Sequence, residues 1–545
     1  IAAEDLRFYD HRGIDVYRIL GALRSNLKSG SLAEGASTIT QQLAKLTHLS
    51  AEKTIRRKLE EINLAFQIEK VYNKDEILAM YLNTVYFGRG AYGIQAAAQA
   101  YFGVDAEDLT LNQSASLAAI IKAPSIYAPH INPSNNRSRR QYILSVMAEN
   151  GFISQEEKQA ALDESIWVLA QEAEKQLYSW YIDEALRESA ELLGLSADEV
   201  IQGGFKIYTA YDARLQTIAD EVYADSSFFP AAASDGTPIQ SAMAVVDTNN
   251  GAVLAMIGGR DYTVRRGLNR ATQMRRQPGS ALKPLAVYGP ALELGYTTAS
   301  VLLDEKTSFG GYTPRNAGDR YYGLVTMRTA IRNSLNTTAV RLLEEIGLDA
   351  SIQYLNKMGI PTRNSDRNLS LALGSMTYGV TPVELAAAYV PYANGGIYHQ
   401  PYCVERIETV DGSNVYERKD SGKQVLSAQN AFLMTSLLQS VVSSGTGTRM
   451  LAANTPIAGK TGTVSMTGGN RDIWMTAYTP EISVAVWMGY DQTDAKHKIS
   501  NGITGGRNTA SLAAAFFKKA YADREKPDFS QPDGLVWLTL DKRAL

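Results

Sequence analysis

A serine stands three residues ahead of a lysine in RRQPGSALKPLAVYGP, residues 275–290: Ser280 and Lys283, just after Pro278-Gly279. A serine at its ordinary pKa is a poor nucleophile and reacts only beside a base. Residues at i and i+3 face one side of a helix, close enough to share a proton. Pro-Gly is plausible punctuation before a helix start. A helix beginning at Ser280 would offer backbone N–H groups and a positive dipole end to a developing oxyanion. Pro284 opposes helical geometry at Lys283 unless it falls within the first turn. The pattern alone is weak, because Ser50-Ala51-Glu52-Lys53 fits it too.

Two later motifs add weight. NSLNTTA contains Ser334-Leu335-Asn336, an SxN, and AGKTGT contains Lys460-Thr461-Gly462-Thr463. SxN has its own decoy at Ser134-Asn135-Asn136, but KTG occurs once, and only Ser280, Ser334 and Lys460 follow in order within one α/β region. SxxK, SxN and KTG in that order form the signature of penicillin-binding proteins and class A β-lactamases. Each part has a chemical task. Ser280 is expected to attack a carbonyl and become an acyl-ester, and Lys283 to accept its proton. A neutral amine near pH 7 requires roughly 4–5 kcal/mol of bias against the ammonium, which burial and a second cation, Lys460, can supply. Lys460 and Thr461 are expected to bind a substrate carboxylate. Gly462 is expected to let a peptide lie along the strand. Ser334 can pass protons, Asn336 can hold a substrate amide, and the N–H groups of Ser280 and Thr463 are expected to form the oxyanion hole.

Other chemistry fails on inspection. AGKTGT lacks the first P-loop glycine, since position 454 is Asn. GRGAYG, residues 88–93, matches GxGxxG but follows a helical segment rather than a strand. The five histidines are scattered, without metal-ligand spacing.

These residues need elements to position them. The 545 residues suggest three or four domains, and a net charge of −3 argues against a nucleic-acid binder. Apolar content of 45% is ordinary for a folded protein, and the one cysteine, Cys403, allows no internal disulfide. No apolar run is long enough to span a membrane. The chain opens at Ile1 rather than Met, so a signal or anchor preceding it is expected. The first 150 residues read as helical, with Ile55, Leu59, Ile62 and Phe66 as one apolar stripe. Further helical runs cover 74–82, 113–122 and 155–191. GGFKIYTAYD (203–212) reads as a strand, and AMAVVDTNNGAVLAMIGG from Ala242 as a hairpin turning at Asn250-Gly251. IWMTAYT and ISVAVWMGY are further strands. The division is 1–150 helical, 151–240 connecting, 241–525 mixed α/β, and a tail from 526 to 545.

The helical part carries its own candidates. Glu4-Asp5 is an acidic pair near an aromatic and a histidine. Residues 21–58 hold seven Lys/Arg against two acids, a local +5 that suits an anionic ligand such as a phosphate or a solvated basic face. Glu61 follows Arg57 by four and Lys58 by three, so an intrahelical ion pair is the simplest reading of it.

IAAEDLRFYDHRG, EGASTITQQLAKL, RKLEE and KDEILAMYLNTVYFGRGAYGIQAAAQAYFG resemble glycosyltransferase family 51. LNRATQMRRQPGSALKP, LALGSMTYGVTPVELAAAYVPYANGG and AGKTGT resemble the penicillin-binding transpeptidases. Together the chain resembles a bifunctional class A penicillin-binding protein. The resemblance implies a mostly α, lysozyme-like glycosyltransferase domain, then an α/β transpeptidase domain with a central antiparallel sheet flanked by helices. It implies Glu4 as the base that deprotonates the 4-hydroxyl of lipid II, with Glu61 as the second carboxylate. Ser37 and Gln42 would line the donor site, Lys45 would hold the pyrophosphate, and Arg57 and Lys58 complete the RKxxE motif. No cofactor is implied beyond a divalent cation (Mg or Mn) that assists glycosyl transfer. The implied partners are lipid II, nascent peptidoglycan, β-lactams as covalent inhibitors and other cell-wall synthesis proteins, with no nucleic acid. The implied location is the outer face of the bacterial cytoplasmic membrane, through an N-terminal anchor outside this chain. The sequence departs from the family at Ala79 and Gln113, where glutamates are usual. Two other readings of the serine site are a D,D-carboxypeptidase or related hydrolase and a non-catalytic β-lactam sensor.

Overall fold

The computed structural model describes residues 1–19, 37–48, 55–169 and 179–539, in two compact units, 1–177 and 178–545.

The first unit is helical, with no strand among its described residues. Helices Ile39–His48, Ile55–Val71, Lys74–Thr84, Ile94–Phe102, Leu111–Ile121 and Pro133–Glu149 lead it. Phe8, Ile39, Leu43, Ile77, Tyr81, Phe87 and Tyr101 form its main core. Helix starts follow local chemistry. Asn73 and Glu76 form a reciprocal capping box, and so do Thr110 and Gln113. Gln113 thus does at its helix start what a glutamate would do. The apolar stripe read on Ile55–Val71 does not set the buried face: Leu59 and Phe66 are exposed, while Glu61 and Ala65 are buried. A buried carboxylate holds that face inward because three donors satisfy it, as shown below. GRGAYG is a turn between two helices, joined by a single bridge between Tyr86 and Tyr92. It has no strand to carry a dinucleotide site.

The second unit is built on a five-stranded antiparallel sheet. Its strand order is Ala458–Met466, Gly469–Tyr478, Ile482–Gly489, Gln240–Asp247, Val253–Ile257. The expected hairpin closes at Gly251, whose φ of +78° suits glycine. The strands are apolar on both faces because both are covered. Pro382–Ala393 packs on the middle strands, and Ala428–Ser444 and Asn508–Ala520 also pack in the unit. Trp474, Trp487, Tyr389 and Tyr478 are fully buried in this core. The KTG strand, Ala458–Met466, lies at the edge of the sheet.

The region read as connecting, 151–240, is shared between the two units. From Trp180 on it belongs to the second: Trp180 and Tyr181 join that core, and Lys206–Thr209 pairs with Val404–Glu408. The beginning of the tail is docked as well, with the Phe529 ring 5.7 Å from that of Tyr478. The decoy Ser50–Lys53 lies outside the described residues.

Candidate active sites

The segment carrying Ser280 is a composite helix. A tight 3₁₀ turn spans Gly279–Leu282, a wide π turn Pro284–Tyr288, and a short α turn Gly289–Glu293. In a 3₁₀ turn residues i and i+3 eclipse, which stacks Lys283 over Ser280. Lys283 N–H donates to Ser280 O, and Pro284, which has no N–H, follows. The carbonyls left by this irregular helix are taken by side chains: Tyr389 Oη donates to Ala281 O at 2.5 Å and Tyr392 Oη to Pro284 O at 2.9 Å. The proline is thus accommodated by changing the helix type.

Three elements converge beside Ser280. Lys283 Nζ is fully buried and donates to Ser334 O (2.7 Å), Leu335 O (2.9 Å) and Asn336 Oδ1 (2.7 Å), with Ser334 Oγ at 3.4 Å. Lys460 Nζ, also fully buried, donates to Ser334 Oγ at 2.9 Å and to Thr461 O at 3.0 Å. Ser334 Oγ therefore bridges the two lysines. Its backbone is left-handed, φ +56°, which is uncommon for a residue with a Cβ. Burial pushes the Lys283 ammonium well below the usual lysine range; the Lys460 charge pushes the same way, and the Asp304 charge pulls back. Burial lowers Lys460 to about 7. The carbonyl acceptors around Lys283 favour its ammonium, but two buried cations this close cannot both hold their protons cheaply.

Ser280 Oγ, half-buried, makes no hydrogen bond to a described residue, so the hydroxyl is free while the donors of Lys283 are engaged elsewhere. A neutral Lys283 keeps only two of its protons, and its lone pair becomes available to a neighbouring hydroxyl. Asn336 is occupied within the protein: it accepts from Lys283 and donates to Arg315 O at 2.6 Å. The Thr461 hydroxyl pairs with Thr446 Oγ1 at 2.8 Å. A Cβ at Gly462 would lie 2.3 Å from Pro278 O and 3.1 Å from Ala281 Cβ, so glycine admits the serine helix against the strand. A Cβ at Gly279 would lie 2.8 Å from Thr463 O, so the serine helix starts directly against the KTG strand.

The carboxylates of the first unit form two neighbouring clusters joined by adjacent glutamines. Glu4 Oε2 accepts from Gln42 Nε2 at 3.2 Å, and Tyr81 Oη donates to Gln42 Oε1 at 3.0 Å. Burial and the Glu4 charge push the Tyr81 phenol up, so it stays a donor. Glu61, 2% exposed, accepts from Arg57 (2.9 Å), Gln41 Nε2 (3.3 Å) and Lys58, whose Nζ also donates to Ser37 Oγ at 2.8 Å. The intrahelical ion pairs read from spacing are present, and a third donor from another helix joins them. Lys45 is exposed and makes no hydrogen bond or ion pair with a described residue. Asp5 turns inward: its Oδ2 accepts from His11 Nε2 (3.0 Å) and from Ile39 N–H (2.9 Å) at the start of Ile39–His48. The adjacent pair therefore divides into a helix-positioning Asp5 and a half-buried Glu4. Sequence reading missed the roles of Asp5 and Gln41. The Glu-Asp adjacency signals only that both are acidic.

The described residues contain no cluster of three His, Cys, Asp or Glu placed to hold a metal ion, and the Glu61 oxygens are taken by Arg57, Lys58 and Gln41. Glu61, paired in this way, has no carboxylate oxygen left unbonded. No described helix is long and apolar enough to cross a membrane.

Residues 1–148 match the transglycosylase family, and 241–522 match the penicillin-binding protein transpeptidase domain. Penicillin-binding protein 1F of Bacillus subtilis is 43% identical over 92% of this chain and 70% of its own length. Penicillin-binding protein 1A/1B of the same organism is 36% identical over 99% of the chain and 60% of its own length. Penicillin-binding protein 2a of Streptococcus pneumoniae is 35% identical over 93% of the chain and 70% of its own length. Among solved structures, penicillin-binding protein 1A of Haemophilus influenzae shares the fold, with a TM-score of 0.67 at 24% identity over 91% of this chain and 89% of that one. PonA1 of Mycobacterium tuberculosis, in complex with penicillin V, gives 0.56 at 24% identity over 65% and 96%. With a glycosyltransferase domain and a D,D-transpeptidase domain in one chain, the protein belongs to the class A penicillin-binding proteins, bifunctional synthases of peptidoglycan.

Proposed function

We propose that Ser280 is acylated by the D-Ala-D-Ala end of a stem peptide and passes the acyl group to the amine of a neighbouring stem. The supporting observation is the buried Lys283–Ser334–Lys460 relay beside a free serine hydroxyl. Neutral Lys283 takes the Ser280 Oγ proton as the Oγ–carbon bond forms, and the carbonyl oxygen gathers charge beneath the N–H groups of Ser280 and Thr463. The tetrahedral species collapses by breaking the peptide C–N bond. The leaving D-Ala nitrogen takes a proton through Ser334. Lys460, buried, supplies the positive field, and the Thr461 hydroxyl the contact, for the terminal carboxylate. An acceptor amine then attacks the ester, and Ser280 recovers its proton. Penicillin, bound by PonA1, would occupy the same site and acylate the same oxygen.

In the first unit, Glu4 takes the proton from the lipid II 4-hydroxyl as it attacks C1 of the growing glycan. Ser37, Gln41 and Gln42 line the site. Lys45, Arg57 and Lys58 offset the charge of the departing lipid pyrophosphate, with Glu61 fixing the two cations of its own helix. The positive charge comes from these side chains. The lipid-linked substrate puts the protein on the outer face of the cytoplasmic membrane.

Covalent labelling by a fluorescent penicillin tests the acyl-serine. Wild type should label and Ser280→Ala should not; equal labelling of both would reject the assignment. An acyl-enzyme that turns over within seconds in water alone would point to a hydrolase instead.

A further inference from the structure

The start of the helix Asn336–Ile346 has no cap of its own, because Leu335 precedes it. A distant side chain does the work. Asn316 Oδ1 accepts the N–H of Asn336 at 2.6 Å and of Thr337 at 3.3 Å. Asn316 is in turn held by its Nδ2, which donates to Asp304 Oδ1 at 2.7 Å and to Arg320 O at 2.9 Å. Asp304, fully buried at the end of the strand Val301–Asp304, also accepts from Thr337 Oγ1 and from Tyr322 N–H at 2.9 Å. Among the described residues it has no ion-pair partner. A buried carboxylate with hydrogen bonds but no salt bridge is costly unless positive charge lies near. The nearby positive charge comes from the helix start it faces and from Lys283.

We propose that Asp304 is a positioning residue of the acyl-transfer site: through Asn316 it clamps the Ser334–Asn336 loop against Lys283, and its buried charge is the counterweight to that of Lys460. The loop needs such a clamp. It must hold Ser334 left-handed, so that Ser334 O and Leu335 O point at Lys283 while Ser334 Oγ reaches Lys460. The groups facing this pair are few: Lys460 from the edge strand, Tyr288 from the serine helix, and Arg315 and Tyr321 from the loop that carries Asn316. Asp304 and Lys460 therefore act on Lys283 with opposite sign, Asp304 favouring its ammonium and Lys460 its amine.

The inference rests on acylation at Ser280, and two variants test it by the pH profile of labelling with a fluorescent penicillin. Asp304→Asn removes the charge and keeps an oxygen for Asn316. Its acid limb should move to lower pH by about one unit, the size a single nearby charge imposes. Asn316→Ala keeps the charge and removes the clamp. It should acylate at least about tenfold more slowly, one lost bridging hydrogen bond to a site group, with its acid limb in place. A folded Asp304→Asn whose limb stays put overturns the counterweight. If Asp304→Asn does not fold, Asn316→Ala decides, and wild-type acylation by it overturns the clamp. Failure of the wild type to label would instead remove the functional reading beneath both.

Discussion

Replacing Lys460 by methionine removes one buried charge and keeps an unbranched chain in its place. Lys283 Nζ and Lys460 Nζ approach the same Ser334 Oγ at 3.4 and 2.9 Å, so they lie no more than the sum of these, 6.3 Å, apart. Two unit charges at that separation repel by about 2.6 kcal/mol at an effective dielectric constant of about 20. That equals about two pH units of bias on Lys283. The sign follows from the role. Neutral Lys283 is the base, so acylation rises with pH through its titration; removing a neighbouring cation stabilises its ammonium and raises its pKa. In Lys460→Met the acid limb of the rate profile should therefore move to higher pH, by about two units if the whole interaction is lost. Lys460 itself titrates at about 7, so the wild-type profile should also fall on the alkaline side, and the methionine variant should lack that fall. The two limbs belong to the coupled pair rather than to either lysine alone. The assay is the time course of fluorescent-penicillin labelling across acidic to alkaline buffers, with a melt of each sample as the folding control. A lowered rate with an unmoved acid limb would refute the coupling, and with it Lys283 as the base that Lys460 tunes.

Gly462→Val would drive a branched side chain into Pro278 O and Ala281; it should lower unfolding free energy by about 1–3 kcal/mol and abolish labelling, measured by urea melts and by penicillin. Glu4→Gln should cut glycan polymerisation by about 10²–10⁴-fold and leave penicillin labelling intact, since the two groups lie in different units. Asp5→Ala removes the acceptor of Ile39 N–H and of His11; polymerisation should fall and proteolysis of the first unit should quicken, consistent with a lost cap of about 1–2 kcal/mol. The depressed Lys460 also predicts a stability trend. Between its folded value of about 7 and its ordinary 10.5 the unfolded chain holds a proton that the folded chain does not. Stability should rise with pH across that window by about 1.4 kcal/mol per unit and be flat below it; Lys460→Met should lose that share of the slope in urea melts.

The convergence of Lys283, Ser334 and Lys460 was legible because SxxK, SxN and KTG are short local strings that stand out in the sequence. The hairpin at Asn250-Gly251 was legible for the same reason. What surrounds those strings was not. Asp304 and Asn316 carry no motif, and their meaning comes from Thr337 and Asn336 being folded onto them. The apolar stripe on Ile55–Val71 misled because a satisfied carboxylate, Glu61, outranked Leu59 and Phe66 for the interior. Spacing shows which residues share a face, but not whether another helix will bring a Gln41 to pair with it. The connecting region misled in a related way. Nothing between residues 178 and 240 resembles an enzyme motif, yet Trp180 and Tyr181 are core residues and the Tyr181 hydroxyl donates to Val253 O at 2.7 Å.

The left-handed Ser334 shows how these levels meet. Glycine would adopt that backbone without cost, while serine holds it at about 1–3 kcal/mol. Only a residue with a hydroxyl, however, can stand between two buried lysines and exchange a proton with each. The chain therefore keeps the strained residue and places the compensation elsewhere, in the Asn316 cap on the following helix and in the Lys283 bonds to the carbonyls that the left-handed turn exposes. The two Lys283 bonds tie the turn to the lysine, while the Asn316 bond holds the helix start that follows it. Backbone strain, helix capping and proton transfer at this site are then one arrangement, and weakening the cap should be felt at the serine before it is felt in the fold.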